Sequence, residues 1–281
     1  MTKFGPSGNS EAFYNAGYTK SEDSAKWVKD LGLDLFECSF GRGVRMTEKK
    51  AESIKRAFID AGVEISVHAP YYVNFANPEE ENAEKSYGYV LDSARAVKAM
   101  GGNRVVFHPA SVGKLDRSAA VELTKKRLYR LCELIYENGL EDIKFCPETM
   151  GKLGQIGTVE EITDFCAIDK VFVPCVDFGH VNARERGSLS SPKAFTDRLS
   201  YMIDKLGYEK MKDFHVHFSK IEYGERGEIR HLTFEDEIFG PNPLDMIAAI
   251  KELSLTPHVL CESAGTQDLD ALKMKKACFP Y

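Results

Sequence analysis

The chain has 281 residues, of which 37 are Lys or Arg and 43 are Asp or Glu, so its formal net charge is −6. This balance argues against binding nucleic acid through bulk positive charge, while leaving room for a locally basic groove or for a bound cation that reverses the local sign. Hydrophobic residues make up 43% of the chain, which at this length permits one large α/β domain or two small ones.

Targeting and redox features of the sequence indicate a cytoplasmic protein. No run of about 18 apolar residues predicts a membrane span, and the first residues lack the apolar stretch of a signal peptide. The seven cysteines are widely spaced and none forms a C-x-x-C pair. We therefore expect buried free thiols in a reducing compartment.

Short apolar runs rich in β-branched residues alternate along the chain with longer amphipathic segments. The runs predict strands at residues 3–6, 35–38, 64–68, 104–108, 144–148, 172–177, 213–217 and 259–262. The amphipathic segments predict helices near residues 21–31, 47–61, 79–100, 117–138, 158–167, 192–206, 243–254 and 268–277. This alternation is the pattern of an α/β (β/α)8 TIM barrel, which we predict as a single domain over residues 1–281. A doubly wound open sheet would favour a G-x-G-x-x-G loop after the first strand, and the sequence lacks that motif.

The barrel hypothesis requires catalytic groups to lie at the carboxyl ends of the strands. The sequence meets this requirement almost strand by strand, because the last six predicted strands each end at a histidine or a carboxylate. These residues are His68, His108, Glu148, Asp177, His217 and Glu262, and they are joined by His180 shortly after Asp177 and by Glu228 and His231 in the loop after the seventh strand.

Imidazoles and carboxylates therefore alternate around one face of the predicted barrel. Such groups would repel each other or lack partners in one cavity, and a cluster of divalent cations removes that problem. Mixed His and carboxylate ligands favour zinc, with manganese and iron as alternatives. His215 and His217 are two apart on a strand and point to the same side of it. His217 is nearer the functional end and is the expected ligand, whereas His215 is expected to support it or to fill the barrel.

Two motifs relate these residues to a known family. Residues 68–74 read HAPYYVN and match the pattern H-x-x-Y-x-x-N, and residues 177–180 read DFGH and match D-x-x-H. Together with the strand ends FHP, PET and CES, which carry His108, Glu148 and Glu262, they give a sequence that resembles the endonuclease IV family of apurinic/apyrimidinic endonucleases. That family belongs to the xylose isomerase-like TIM-barrel superfamily, and the similarity runs along nearly the whole chain.

The resemblance implies three zinc ions, with Glu148 as the catalytic carboxylate that bridges two of them. The implied ligands are His68, His108 and Glu148 for the first ion, Glu148, Asp177, His217 and Glu262 for the second, and His180, His231 and Glu228 for the third. The implied reaction is hydrolysis of the phosphodiester 5′ to an abasic site in duplex DNA, leaving a 3′-hydroxyl, by a monomer without an organic cofactor. The expected DNA contacts are Tyr71, Asn74, Arg42 and Arg45.

The chain departs from the family pattern after the seventh strand. The third zinc of the family usually takes D-x-H, but here Ile229 stands two residues before His231, so that Glu228 would have to replace the aspartate. The family reads H-x-N-D-x-K just after that strand, where this chain reads HFSK at residues 217–220. These differences make the metal chemistry better supported than the specificity for DNA.

Two other functions remain open at this point. A sugar isomerase or epimerase of the same superfamily would need only the four ligands implied for the second zinc, with Glu37 or Lys220 as an acid–base group near the metal. A non-catalytic barrel stabilised by a metal would need only a closed site of four ligands and no bridging carboxylate.

Overall fold

The structure is a computed structural model that describes residues 1–280. Its strands are β1 (Lys3–Pro6), β2 (Leu35–Ser39), β3 (Glu64–His68), β4 (Arg104–Phe107), β5 (Ala110–Ser111), β6 (Lys144–Pro147), β7 (Gln155–Ile156), β8 (Cys175–Asp177), β9 (His215–Phe218), β10 (Lys220–Gly224), β11 (Gly227–Leu232) and β12 (His258–Cys261). Its helices are α1 (Glu11–Asn15), α2 (Asp23–Asp30), α3 (Glu48–Ala61), α4 (Glu80–Ala99), α5 (Arg117–Glu137), α6 (Val159–Cys166), α7 (Phe178–Arg184), α8 (Pro192–Leu206), α9 (Tyr208–Met211), α10 (Pro243–Glu252) and α11 (Gln267–Cys278).

Eight of the strands form a closed parallel barrel. Their hydrogen-bonded order is β1-β12-β9-β8 in one half and β2-β3-β4-β6 in the other. The halves meet through parallel bridges between Ser7 and Glu37 and between Glu148 and Cys175. The predicted TIM barrel is confirmed, and all the strand ends implicated by the sequence therefore open toward one mouth.

The helices follow the predicted segments because the sequence caps them. Thr158 and Glu161 form a reciprocal capping box at the start of α6, and Thr47 accepts a hydrogen bond from the backbone N–H of Lys50 at the start of α3. Gly62 ends α3 in the left-handed conformation with φ +67°, which costs glycine little. α2 begins at Asp23, two residues later than predicted, and Glu22 at its N-cap makes no side-chain cap.

Two structural features near the barrel mouth were not predicted. The segment after β8 is the short helix α7, which begins because Asp177 accepts a hydrogen bond from the backbone N–H of His180 at 2.7 Å. The segment after β9 is not a loop but the antiparallel hairpin β10–β11. β8 is also shorter than the predicted strand at 172–177, since Pro174 has no N–H to donate to the sheet.

Among residues 1–280, none of the helices combines the length and the apolar composition that a transmembrane segment requires. All seven cysteines are free, as expected from the sequence; Cys146, Cys166, Cys175, Cys261 and Cys278 are also buried as expected, whereas Cys38 and Cys132 are half-buried.

The first two strands of the barrel approach each other very closely at Gly5. A Cβ atom added to Gly5 would lie 1.8 Å from the carbonyl oxygen of Leu35 on β2. The barrel can therefore close between β1 and β2 only because residue 5 has no side chain.

We expect Gly5→Ala to lower the free energy of unfolding by about 1–3 kcal/mol or more, because the added methyl group forces the two strands apart. Gly88→Ala is the matched control, since a Cβ atom at Gly88 inside α4 meets no atom within 4 Å. That substitution should raise the free energy of unfolding by about 0.5–1 kcal/mol through helix propensity. Urea unfolding measures both changes, and equal stabilities would contradict the described contact.

Candidate metal centre

The barrel mouth holds a polar pocket of about 280 Å³. The carboxyl ends of β3, β4 and β6 reach it, α7 and β11 close its other side, and the loop after β12 completes it. Among the predicted ligands, its walls include His68, His108, Glu148, His180, Glu228, His231 and Glu262. Asp177 and His217 are fully buried beneath them.

The first group of metal-type donors is centred on one oxygen of Glu148. Its Oε2 atom lies 3.2 Å from His68 Nε2 and 3.2 Å from His108 Nε2. The imidazole of His68 is held from its other side, where Nδ1 lies 2.8 Å from the carbonyl oxygen of Ala69. The three side chains thus direct one donor atom each at a common point.

The second group uses the other oxygen of the same carboxylate. Glu148 Oε1 lies 3.2 Å from His217 Nδ1, and Glu262 Oε1 lies 3.5 Å from the same nitrogen. The parallel register places Asp177 directly beside His217, and the four side chains offer donor atoms within 4.8 Å of one another. Glu148 therefore links the first two groups.

The third group comes from elements that the sequence did not predict. His180 lies on α7, and its Nε2 atom is 3.4 Å from Glu228 Oε2 on β11. The ring of His231, also on β11, is centred 5.5 Å from that of His180. Glu262 connects this group to the second, since its Oε2 atom lies 4.0 Å from His231 Nδ1.

A β-bulge explains how Glu228 and His231 come to the same side of the hairpin. Residues three apart on a regular strand point to opposite faces. Here Tyr223 pairs with Glu228 while Glu222 pairs with Arg230, which leaves Ile229 as an extra, unpaired residue. The bulge reverses the alternation once, so that the spacing E-x-x-H still directs both side chains to the pocket.

The hairpin is fixed over the pocket by two glycines. The backbone N–H of Glu228 donates to the carbonyl oxygen of Gly151 at 3.1 Å, in the loop after β6. A Cβ atom on Gly227 would lie 2.2 Å from that same oxygen, and Gly227 has φ +88°. Only glycine permits this approach, which places Glu228 next to His180.

The charges in the centre depend strongly on one another. Burial opposes protonation of His68, but Glu148 raises the pKa of His68 to about 9. Burial also opposes the charge on His180, yet Asp177, Glu148 and Glu228 hold the pKa of His180 well above its ordinary value. Burial raises the pKa of the Asp177 carboxyl against the attraction of His180, and the neighbouring Glu262 and Glu148 add to that rise.

These observations fit a site for cations. Asp177 Oδ2 is completely buried and has no hydrogen-bond partner, although His180 Nδ1 lies 3.4 Å away. A buried carboxylate without a hydrogen bond is costly unless a cation offsets its charge. All donors in the three groups are imidazole nitrogens or carboxylate oxygens. Zinc, manganese and iron accept that donor set, and the residues present therefore suit such ions.

Two residues raised as candidate acid–base groups lie away from the pocket. Glu37 is fully buried, and its carboxylate contacts His215 and His217 below the centre. Lys220 donates to the carbonyl oxygens of Phe234 and Asp236. Neither residue lines the pocket among the described residues.

The four residues predicted to contact DNA differ in their exposure and in their hydrogen bonds. Tyr71 lines the pocket, and 59% of its surface is exposed. Arg42 and Arg45 are exposed in the loop after β2. Asn74 connects the loop after β3 to β5, because its Oδ1 atom accepts from the backbone N–H groups of Ala76 and Ser111 at 3.1 Å each.

The sequence reasoning missed one charged residue at the pocket. Lys152 lines it, and its Nζ atom lies 4.0 Å from Glu228 Oε1. Its position four residues after Glu148, in a loop that follows a barrel strand, is the signal that could have identified it.

Comparison with known proteins places the chain among relatives of the same architecture. A family model described as "Xylose isomerase-like TIM barrel" matches residues 25–274. An uncharacterized protein of Methanocaldococcus jannaschii is 34% identical over 258 residues, which cover 91% of this chain and 92% of that protein. A probable endonuclease 4 of Trichlorobacter lovleyi is 25% identical over 232 residues, which cover 81% of each chain.

Solved structures show the same fold in proteins with different names. Endonuclease IV from Thermus thermophilus matches with a TM-score of 0.72 and 16% identity over 98% of each chain. A 3-keto-D-glucoside 4-epimerase from E. coli matches with a TM-score of 0.69 and 15% identity over 99% of this chain and 97% of that one. Because the family model spans most of the sequence, the chain belongs to the xylose isomerase-like TIM barrel family.

Proposed function

We propose that this protein is a zinc-dependent endonuclease that cleaves duplex DNA 5′ to abasic sites, in the manner of deoxyribonuclease IV. The observation that carries the proposal is that three groups of metal-type donors adjoin at one pocket: Glu148 belongs to the first two, and Glu262 of the second lies 4.0 Å from His231 of the third. Relatives named as endonuclease 4 support it independently. Manganese or iron at one or more positions is compatible with the same donors.

The first group would hold its ion with His68, His108 and Glu148, the second with Glu148, Asp177, His217 and Glu262, and the third with His180, Glu228 and His231. When bound, such ions lower the pKa of a water molecule to supply hydroxide and offset charge on the scissile phosphate and the leaving oxygen. Hydrolysis adds the water oxygen to phosphorus, breaks the bond between phosphorus and O3′, and leaves the proton on O3′. Glu148 would keep the donor atoms of the first and second groups aligned during the reaction.

The residues at the rim suit a nucleic acid backbone. Lys152 is 55% exposed beside the pocket and can contact a phosphate without penetrating the centre. Arg42 and Arg45 can do the same from the loop after β2. The exposed ring of Tyr71 offers a flat apolar face where an abasic site lacks a base.

The alternative is a metal-dependent sugar epimerase, which solved neighbours of that name support. The second donor group alone would provide the metal site for such an enzyme. However, Glu37 and Lys220 are directed elsewhere, and the histidines of the first and third groups would have no function in a single-metal epimerase. These two points favour the endonuclease.

Incision of an abasic duplex tests the proposal directly. Zinc-loaded protein should cut a duplex with one abasic site to a product with a 3′-hydroxyl, and should leave an undamaged duplex and free ketohexoses unchanged. Glu148→Gln should reduce the rate by more than about 10³-fold, because losing even one group that stabilises transition-state charge costs 10²–10³. Glu141→Gln, at an exposed position, is the matched control and should cut normally.

Absence of incision above background by zinc-loaded protein would refute the assignment to DNA repair. Epimerisation of a ketohexose under the same conditions would favour the alternative instead.

The third metal position is tested through Glu228. Glu228→Gln removes the carboxylate that faces His180, so we expect the variant to retain about one zinc ion fewer per chain after dialysis, because neutral ligands hold the cation less tightly. Glu225→Gln, an exposed residue in the same hairpin, should keep the full complement. Mass spectrometry of the metal content measures both variants. Equal zinc content in the two variants would show that Glu228 is not a ligand.

A further inference from the structure

The end of the barrel opposite the metal centre holds a second polar cavity. Its volume is about 410 Å³, and it shares no lining residue with the pocket at the mouth. Five strands, β1, β3, β4, β6 and β12, each begin with a charged residue or a histidine that lines this cavity. Together with the residue two before β9, the polar set is Lys3, Glu64, Arg104, Lys144, Asp213 and His258.

Arg104 is the most deeply buried cation of this cavity. Only 3% of its side chain is exposed. Its Nη2 atom donates to the carboxylate of Asp213 at 3.0 Å and to the backbone carbonyl oxygen of the same residue at 2.8 Å. Its Nε and Nη1 atoms are buried and have no hydrogen-bond partner among the described residues. A guanidinium carries five N–H groups, and unpaired ones are costly in the interior. Asp213 therefore satisfies only part of Arg104.

The cations around the cavity outnumber the carboxylates. Lys144 donates to the Asp213 carboxylate at 2.5 Å, so that one carboxylate serves both Lys144 and Arg104. Lys3 pairs with Glu64 on the neighbouring side. Each ammonium has three N–H groups to donate, and each contacts a single carboxylate here. The ion pairs therefore leave an excess of one positive charge and several free donors.

His258 is affected by the same excess of positive charge. Its Nε2 atom lies 3.7 Å from Glu64 Oε2, a contact that favours a charged ring. Burial nevertheless lowers the pKa of His258 to about 2, and the charges of Arg104, Lys3 and Lys144 add to the fall. A potential that opposes an imidazolium favours an anion at the same place.

The donors reach the cavity from opposite walls. In the closed order of the barrel strands, β1 with Lys3 lies across from β4 with Arg104 and β6 with Lys144. The oxygens of a tetrahedral oxyanion point in several directions and can accept from both walls, and Arg and Lys are the common partners of phosphate. We propose that this cavity binds a phosphate group, either as inorganic phosphate or as part of a small phosphomonoester.

The cavity is open to such a ligand. Lys3 and Lys144 have 37% and 31% of their side chains exposed, so both ammonium groups are accessible from solvent, whereas Arg104 lies deeper. A phosphate between the two lysines would place its charge next to the guanidinium and offset the positive excess. No residue of the metal centre takes part, so the inference goes beyond the proposed endonuclease activity and does not depend on it.

Lys144→Met tests the inference, because it keeps the length of the side chain and removes its charge and its donors. Isothermal titration calorimetry of the zinc-loaded protein should show binding of inorganic phosphate at millimolar concentration. We expect Lys144→Met to weaken this binding at least about tenfold, the usual order for the loss of a hydrogen bond to a charged group. Lys205→Met, at an exposed position in α8, is the matched control and should bind phosphate as the wild type does.

Glycerol 3-phosphate, titrated in the same way, distinguishes the two sources of the phosphate group. Tighter binding than that of inorganic phosphate would identify a phosphomonoester, and equal binding would identify free phosphate. Absence of phosphate binding by the wild type would overturn the inference. Undiminished binding in Lys144→Met would also overturn it, since the phosphate would then occupy the metal centre or another place.

A second measurement uses the unaltered chain and does not depend on how the variant folds. Selenate is a tetrahedral dianion whose selenium atom scatters anomalously, so crystals soaked in millimolar selenate report where such an anion binds. We expect an anomalous peak within the cavity, in contact with Lys144 and Lys3. Peaks confined to other places would overturn the inference. Neither measurement uses DNA, so a protein that binds phosphate here but does not cut abasic DNA would refute the proposed function alone.

Discussion

The structure depends on one electrostatic constraint, the convergence of buried carboxylates at the mouth of the barrel. Glu148 and Asp177 have 1% and 0% of their surface exposed, and Glu262 adjoins them. Imidazoles approach this group from several elements, but Asp177 Oδ2 still lacks a hydrogen-bond partner. Such an arrangement would oppose folding unless cations offset the charge. The net charge of −6 does not describe the charge at the pocket if the proposed ions are bound. Three divalent ions would add +6 at the place where a phosphate would bind.

The surrounding elements follow from this constraint. α7 begins at Asp177 and turns His180 back toward Glu148. The hairpin β10–β11 is held against the loop after β6 and brings Glu228 and His231 over the same pocket. Below the centre, Glu37 and His215 replace the apolar side chains that normally fill such barrels. Polar contacts thus continue from the mouth of the barrel into its interior.

Much of this centre could be predicted from the sequence, because parallel strands of a closed barrel end at one face. Once the strands are located, His68, His108, Glu148, Asp177, His217 and Glu262 must lie near one another. The position of Glu228 and His231 could not be read in this way. Their common orientation depends on the bulge at Ile229, and a bulge is a property of pairing between two strands. The contacts of Glu37 likewise depend on strands distant in sequence, as does the bond from Ser111 on β5 to Asn74.

The number of metal ions bound per chain distinguishes a shared three-metal centre from a single-metal site. The unaltered protein, loaded with zinc and dialysed against metal-free buffer, can be analysed by inductively coupled plasma mass spectrometry against its measured protein concentration. We expect about three ions per chain, since Glu148 joins the first donor group to the second and Glu262 connects the second to the third. A content of one ion per chain would contradict the shared centre and would favour a single-metal epimerase site made of Glu148, Asp177, His217 and Glu262.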